Sequence, residues 1–189
     1  MTDIYNIFSA ALDKVLLEYP THKFILERDL VWTVYKQLIA DLNAVSDEYT
    51  AFCNFPVARS VKGRSLSADL VILKKGIERK NVLDEGLQVE LAAEFKFEPS
   101  KERRDICRFK LPVFSWSNIL GDIERVEQYV CTNKTAKIGV ALFVDEYGRY
   151  SNESKYQISS QSQWHKHGTF DTDYLNVHIL KTVLQGEFE

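Results

Sequence analysis

Glu94 and Lys96 stand two residues apart in LQVELAAEFKF (87–97), a spacing at which a carboxylate and an ammonium share one face of a β-strand. Period two sends Val89, Leu91, Ala93, Phe95 and Phe97 to an entirely apolar face. Glu90, Ala92, Glu94, Lys96 and Glu98 go to the other face. Taken alone, such a strand is ordinary surface alternation. A second segment changes that reading. SADLVIL (67–73) places Asp69 at the head of an otherwise apolar strand, where an acid has weak strand propensity and needs a local reason. If the two strands pair as a hairpin through residues 74–86, Asp69 lies opposite the half of the later strand that holds Glu94 and Lys96. Two carboxylates within about 4 Å repel, and one stays protonated unless a cation sits between them. Hard oxygen donors of this kind select magnesium or manganese over zinc or copper.

Glu27 is a third carboxylate. It lies one helical turn before Val31 and so extends an inward stripe of Val31, Val34, Leu38 and Leu42. Asp29 aligns instead with Thr33, Lys36 and Ala40, a face directed to solvent. At the start of a helix Glu27 also suits the positive end of the helix dipole, and that alone would account for it.

The elements that must position these groups follow from periodicity. Residues 4–18 put Ile4, Phe8, Leu12, Val15 and Leu16 on one helical face, and Pro20 closes that helix. A second helix is expected from about Glu27 to Asn43. Strands are expected at 50–57, 67–73 and 87–97, the first two joined by the basic loop ARSVKGRS and the last two by a charged connection. A third helix is expected from about Ser117 to Cys131, with Ile119, Ile123, Val126 and Val130 inward and Ser115 or Ser117 as cap. KIGVALFVD (137–145) is the nearly unbroken apolar run of a strand buried on both faces. Residues 151–169 read as a long polar loop, and 174–180 as a last strand or short helix. The expected fold is α/β, a central mixed sheet flanked by helices in the order α-βββ-α-β. One domain spans 1–189, with an N-terminal helical appendage at 1–23, a core at 24–145 and a C-terminal extension at 146–189.

Glu27 on a helix, Asp69 in SADLVIL and Glu94-Phe95-Lys96 in AAEFKF together resemble the PD-(D/E)xK, or restriction-endonuclease-like, nuclease superfamily. The order of elements matches that superfamily's core from about residue 24 to residue 145. The resemblance implies a metal-dependent nuclease hydrolysing DNA phosphodiester bonds, with Mg2+ or Mn2+ as cofactor. It implies that Asp69 and Glu94 ligate the metal together with the backbone carbonyl of Phe95. Lys96 would orient or deprotonate the attacking water and stabilise the charge developing on phosphorus, and Glu27 would hold a second metal or a water of the metal's shell. The chain departs from the family pattern in three places. Ala68 stands where the family name has proline. The Gln-x-x-x-Tyr signature of the RecB-like branch is absent after Gln128, where position 132 is Thr. Three cysteines cannot supply the four of the iron–sulfur members.

Composition bounds the function further. A net charge of −3 argues against a dedicated high-affinity nucleic-acid binder but leaves room for an enzyme with a local basic patch. Arg59, Lys62 and Arg64 precede Asp69, and Arg103, Arg104 and Arg108 follow Lys96; these are the candidate backbone contacts. Glu98, Glu102 and Asp105 dilute the second group, so a solvated loop is the competing reading. Trp116 and Phe114 could stack on bases, with core packing the stronger expectation. Cys53, Cys107 and Cys131 are too far apart for a zinc knuckle or disulfide scaffold and fit a reducing cytoplasm. No run of about 18 apolar residues is present, so no membrane span is expected. His165 and His167 share a strand parity but have no ligand partner at familiar spacing. A chain this small lacks room for a separate target-recognition domain, so a homodimer or partner protein is expected to serve that purpose. The competing function is a non-catalytic module on the same fold that binds nucleic acid or protein.

Overall fold

A computed structural model describes residues 3–22, 24–59, 65–75, 89–100, 113–152, 156, 158–170 and 175–186. Helices α1 (Ile4–Leu17) and α2 (Glu27–Val45) precede three strands, β1 (Tyr49–Arg59), β2 (Ser65–Lys74) and β3 (Val89–Glu98). Helix α3 (Trp116–Glu127) runs into a π-helical turn at Gln128–Thr132. Strands β4 (Ala136–Asp145), β5 (Ser162–Phe170) and β6 (Leu175–Gln185) follow. The six strands form one mixed sheet in the order β1-β2-β3-β4-β6-β5. Only β3 and β4 run parallel, and α3 makes the crossover between them.

Alternation along the central strands divides the apolar residues between two layers. Leu70, Ile72, Leu91, Ala93, Phe95 and Phe97 face α1 and α2, where they meet Phe8, Leu12, Leu30, Val34 and Leu38. Phe8 and Phe95 touch edge to face at 6.5 Å between ring centroids. Helix α1, read from the sequence as an appendage, is therefore part of the main core. Val71, Leu73, Ala92 and Ala141 take the opposite side, under Val126, Tyr129 and Val130. Gly139 lies where α3 and the turn after it press close on the sheet: a Cβ there would stand 2.7 Å from Val130 Cγ2 and closer still to Val126 Cγ1.

The helix ends differ from expectation in informative ways. The Asp29 carboxylate accepts the N–H groups of Ile25 and Leu26 at 3.0 and 2.8 Å, closing the first turn of α2. At α3 the N-cap is Ser115. Asn118 Oδ1 accepts the Ser115 N–H at 2.9 Å, and no side-chain oxygen of Ser115 caps the helix. The helix expected to reach Cys131 stays α-helical only to Glu127. Asn133 N–H then bonds Gln128 O at 2.8 Å, and this wider turn lets the adjacent Tyr129 and Val130 both be buried.

The expected loop over 151–169 is corrected by β5, which pairs antiparallel with β6 from Ser162↔Thr182 to Phe170↔Leu175. Strand β5 is the edge of the sheet, and Gln163, His165 and Lys166 are exposed. It needs little apolar pattern to hold its place, and little is present. Of the two readings of 174–180 the strand holds, and it runs on to Gln185, with residues 181–185 paired to β4. Among the described residues, no helix is long and apolar enough to cross a membrane.

Candidate active site

Strand pairing decides where Asp69 goes. Strands β2 and β3 run antiparallel with Leu70↔Ala93, Val71↔Ala92 and Ile72↔Leu91, so Asp69 comes level with Glu94 one step beyond that ladder. Its Oδ2 accepts the Phe95 N–H at 2.8 Å, which ties the carboxylate to the strand that carries Glu94 and Lys96. The hairpin register inferred from the sequence thus brings all three residues to one face. That face is not a solvated surface. Glu94 is 2% exposed, and the Lys96 side chain 15%. Ala92 beside Glu94, and Ala141 opposite it on β4, leave room for α3 to press close.

Glu27 joins from the other layer. Although the stripe of α2 packs against α1 and the opposite face of the sheet, its first residue reaches the site, with Glu27 Oε2 3.1 Å from Lys96 Nζ. Asp29 is occupied in capping the helix, which leaves Glu27 as the acid of that turn able to reach Lys96.

Helix α3 and the π turn that follows it supply three residues that the sequence reading missed. Asp122 is buried, and its Oδ2 lies 3.1 Å from Lys96 Nζ. That atom is shut off from solvent and sits off the line of a proper hydrogen bond, so charge holds the pair more than a directed bond. Arg125 pairs with Asp122 through Nη2, and its Nη1 stands 3.6 Å from Glu94 Oε2. The Tyr129 hydroxyl donates to Glu94 Oε1 at 2.6 Å. Asp122 stands one turn before Val126 on the inward stripe of α3, and the π turn carries Tyr129 to the same side. A lone acid in that stripe was the available signal. Arg125 and Tyr129, four residues apart, both face Glu94. Phe114 lies under the Lys96 ammonium at 5.1 Å, and Trp116 is packed against Tyr150 and Tyr156 at 5.6 and 5.0 Å. Neither ring is a free stacking platform.

The electrostatics follow from four carboxylates (Glu27, Asp69, Glu94 and Asp122) enclosed with two cations, Lys96 and Arg125. Burial pushes the Glu94 carboxyl up to about 8, and the neighbouring Asp69 charge adds to it against the Tyr129 hydroxyl and Arg125. Burial also raises Asp69, with the Phe95 N–H and Lys96 opposing, and it raises Glu27 against the pull of Lys96. Lys96 goes the other way. Burial disfavours its charge, but Asp122 and Glu27 outweigh that and hold the ammonium above the ordinary lysine range. The Tyr129 phenol is raised by burial and by Glu94, and remains a donor.

Among the described residues, no three His, Cys, Asp or Glu side chains converge in the manner of a closed metal cage. Magnesium does not require one, since it is commonly held by one or two carboxylates with waters and substrate phosphates completing the shell. Asp69 and Glu94 suit that mode: both are hard oxygen donors and they repel each other, and the cations nearby, Lys96 and Arg125, offset burial too little to keep either carboxyl in its ordinary range. Arg59 ends β1 opposite Ser65, but its side chain, together with Lys62, Arg64, Arg103, Arg104 and Arg108, lies outside the described residues. His165 is exposed on β5, and His167 bonds the Leu16 carbonyl. No family model, no curated protein and no solved structure matches this chain.

Proposed function

We propose that this protein is a metal-dependent nuclease that hydrolyses DNA phosphodiester bonds on a restriction-endonuclease-like core. The observation that carries the reading is the convergence of Asp69, Glu94 and Lys96 on one buried face of two paired strands, with Phe95 tied to Asp69. Asp69, Glu94 and the Phe95 carbonyl would hold one Mg2+ or Mn2+. When bound, such an ion neutralises the phosphate and makes water a better nucleophile.

The chain's own residues account for the rest. Lys96 is held as an ammonium by Asp122 and Glu27, which suits it to orient the attacking water and stabilise the pentavalent phosphorus, and suits it poorly to accept a proton. Glu27 is the better acceptor, because burial raises its carboxyl and it touches the same ammonium. In the step proposed, the water oxygen bonds to phosphorus and its proton passes to Glu27. The P–O ester bond breaks, and the departing oxygen takes a proton from solvent. Tyr129 fixes Glu94, and Asp122 fixes Lys96; both act as positioning residues.

The test is cleavage of plasmid and oligonucleotide DNA with magnesium or manganese. Cleavage that needs the metal and disappears in both Asp69→Ala and Lys96→Ala is the expected result, and robust cleavage surviving both substitutions would falsify the assignment. Retention of DNA without cleavage or metal uptake would favour the non-catalytic module on the same fold.

A further inference from the structure

Lys96 is held by Glu27 and Asp122, both at 3.1 Å, and of the Asp69–Glu94 pair its charge favours ionisation of Asp69, while Arg125 is the cation that acts on Glu94. The other described cation at the site is Arg125. We propose that Arg125 is the resident counter-ion of this pair, held against it until a divalent cation takes its place and frees the guanidinium for a phosphate of the DNA backbone. The inference rests on the metal reading above and deepens it.

Three features of Arg125 support the exchange. First, its two contacts are unequal. The pair with Asp122, three residues earlier on the same helix, is close, whereas the approach to Glu94 Oε2 is 3.6 Å, a charge contact and no full hydrogen bond. One anchor can therefore be kept while the other is given up. Second, the side chain is 40% exposed although its partners are 2% and 6% exposed, so the guanidinium has a path outward that the carboxylates lack. Third, its field reaches both members of the pair, since Arg125 favours the charged form of Glu94 and, less than Lys96 does, that of Asp69. A divalent ion between those carboxylates would meet the guanidinium as a like charge at short range in a partly buried site, where repulsion is little screened. The planar guanidinium, unlike an ammonium, is also shaped to take two phosphate oxygens at once. Asp122 would keep it aimed at the strand.

The experiment is calorimetric titration of the full chain with manganese chloride, comparing the native protein, Arg125→Gln and Arg125→Lys. Loss of the competing charge should tighten manganese binding in Arg125→Gln by about three- to tenfold, while Arg125→Lys stays near the native value. DNA binding by Arg125→Gln should weaken when the metal is present and change little without it. Should Arg125→Gln fail to fold, the native protein still gives an answer by peptide mapping after phenylglyoxal treatment: modification of Arg125 should rise when magnesium is added. Unchanged or weaker manganese binding in Arg125→Gln overturns the counter-ion role, as does unchanged phenylglyoxal reactivity. If the native protein takes up no manganese, the metal reading falls too. If Asp69→Ala abolishes uptake and Arg125→Gln leaves it unchanged, only the exchange falls.

Discussion

Lys96 has two carboxylate partners, Glu27 and Asp122, and removing its charge takes a cation from both. Lys96→Ala is expected to lower metal-dependent cleavage by about 10²–10³-fold, the usual loss when a donor aimed at transition-state charge is removed. It should also destabilise the fold by about 1–3 kcal/mol, because the enclosed Asp122 Oδ2 loses its cation while Arg125 holds only the other oxygen, an effect readable by urea denaturation. Glu94 gives a prediction with a definite sign. Its folded carboxyl titrates at about 8 against an ordinary 4.5, so across that interval the folded state binds a proton that the unfolded state has lost. The metal-free protein therefore loses stability as pH rises from about 4.5 through about 8. Glu94→Gln, an amide in the place of the protonated acid, removes that dependence. Its melting temperature relative to the native protein should climb between about pH 5 and pH 9. A constant difference across that range would show that Glu94 is already ionised in the fold.

Among the elements, α3 completes the site by pressing on the sheet, and Gly139 lies under that approach. Gly139→Ala would drive its methyl into Val126 and Val130, costing about 1–3 kcal/mol by overpacking. Because that helix carries Asp122 and Arg125 and leads into the turn that holds Tyr129, the shift should also weaken manganese binding, though residue 139 itself lies outside the site. Normal metal affinity in a destabilised Gly139→Ala would mean that the α3 residues do not set the geometry around Glu94. This element also marks how far the sequence could be read. Asp69, Glu94 and Lys96 were legible because a strand has one parity, and an antiparallel pairing that buries Leu70 and Ile72 against Leu91 and Ala93 allows few registers. Asp122 and Tyr129 were not. The apolar stripe of Ile119, Ile123, Val126 and Val130 accounts for the packing of the helix without them. The π turn after Glu127 then alters the phase that an ideal helix would continue. Strand β5 escaped for another reason: an edge strand with exposed Gln163, His165 and Lys166 has no apolar alternation to announce it.

At the scale of the whole molecule, the site sits between two layers that the sheet holds apart, with Glu27 arriving from one and Asp122 from the other. The end of the sheet beside it is locked by a second group of acids used for structure. Glu146 is fully buried and accepts from the Tyr19 hydroxyl and the Ser100 N–H, each at 2.7 Å, joining the turn after α1 to the chain leaving β3. Asp145 accepts the N–H groups of Arg149 and Tyr150. Glu146→Ala would leave two buried donors short of this acceptor, and a loss of about 3 kcal/mol in denaturant unfolding is expected, with manganese affinity retained in the folded fraction. That contrast separates acids that build the fold from acids that meet the metal. The most direct test of the central claim is a crystal soaked in manganese and measured for anomalous scattering. The account predicts a peak bonded to the carboxylates of both Asp69 and Glu94 and to the Phe95 carbonyl, with Lys96 still held by Glu27 and Asp122. A manganese-soaked crystal with no peak between Asp69 and Glu94, or with the ion bound only elsewhere, would contradict it.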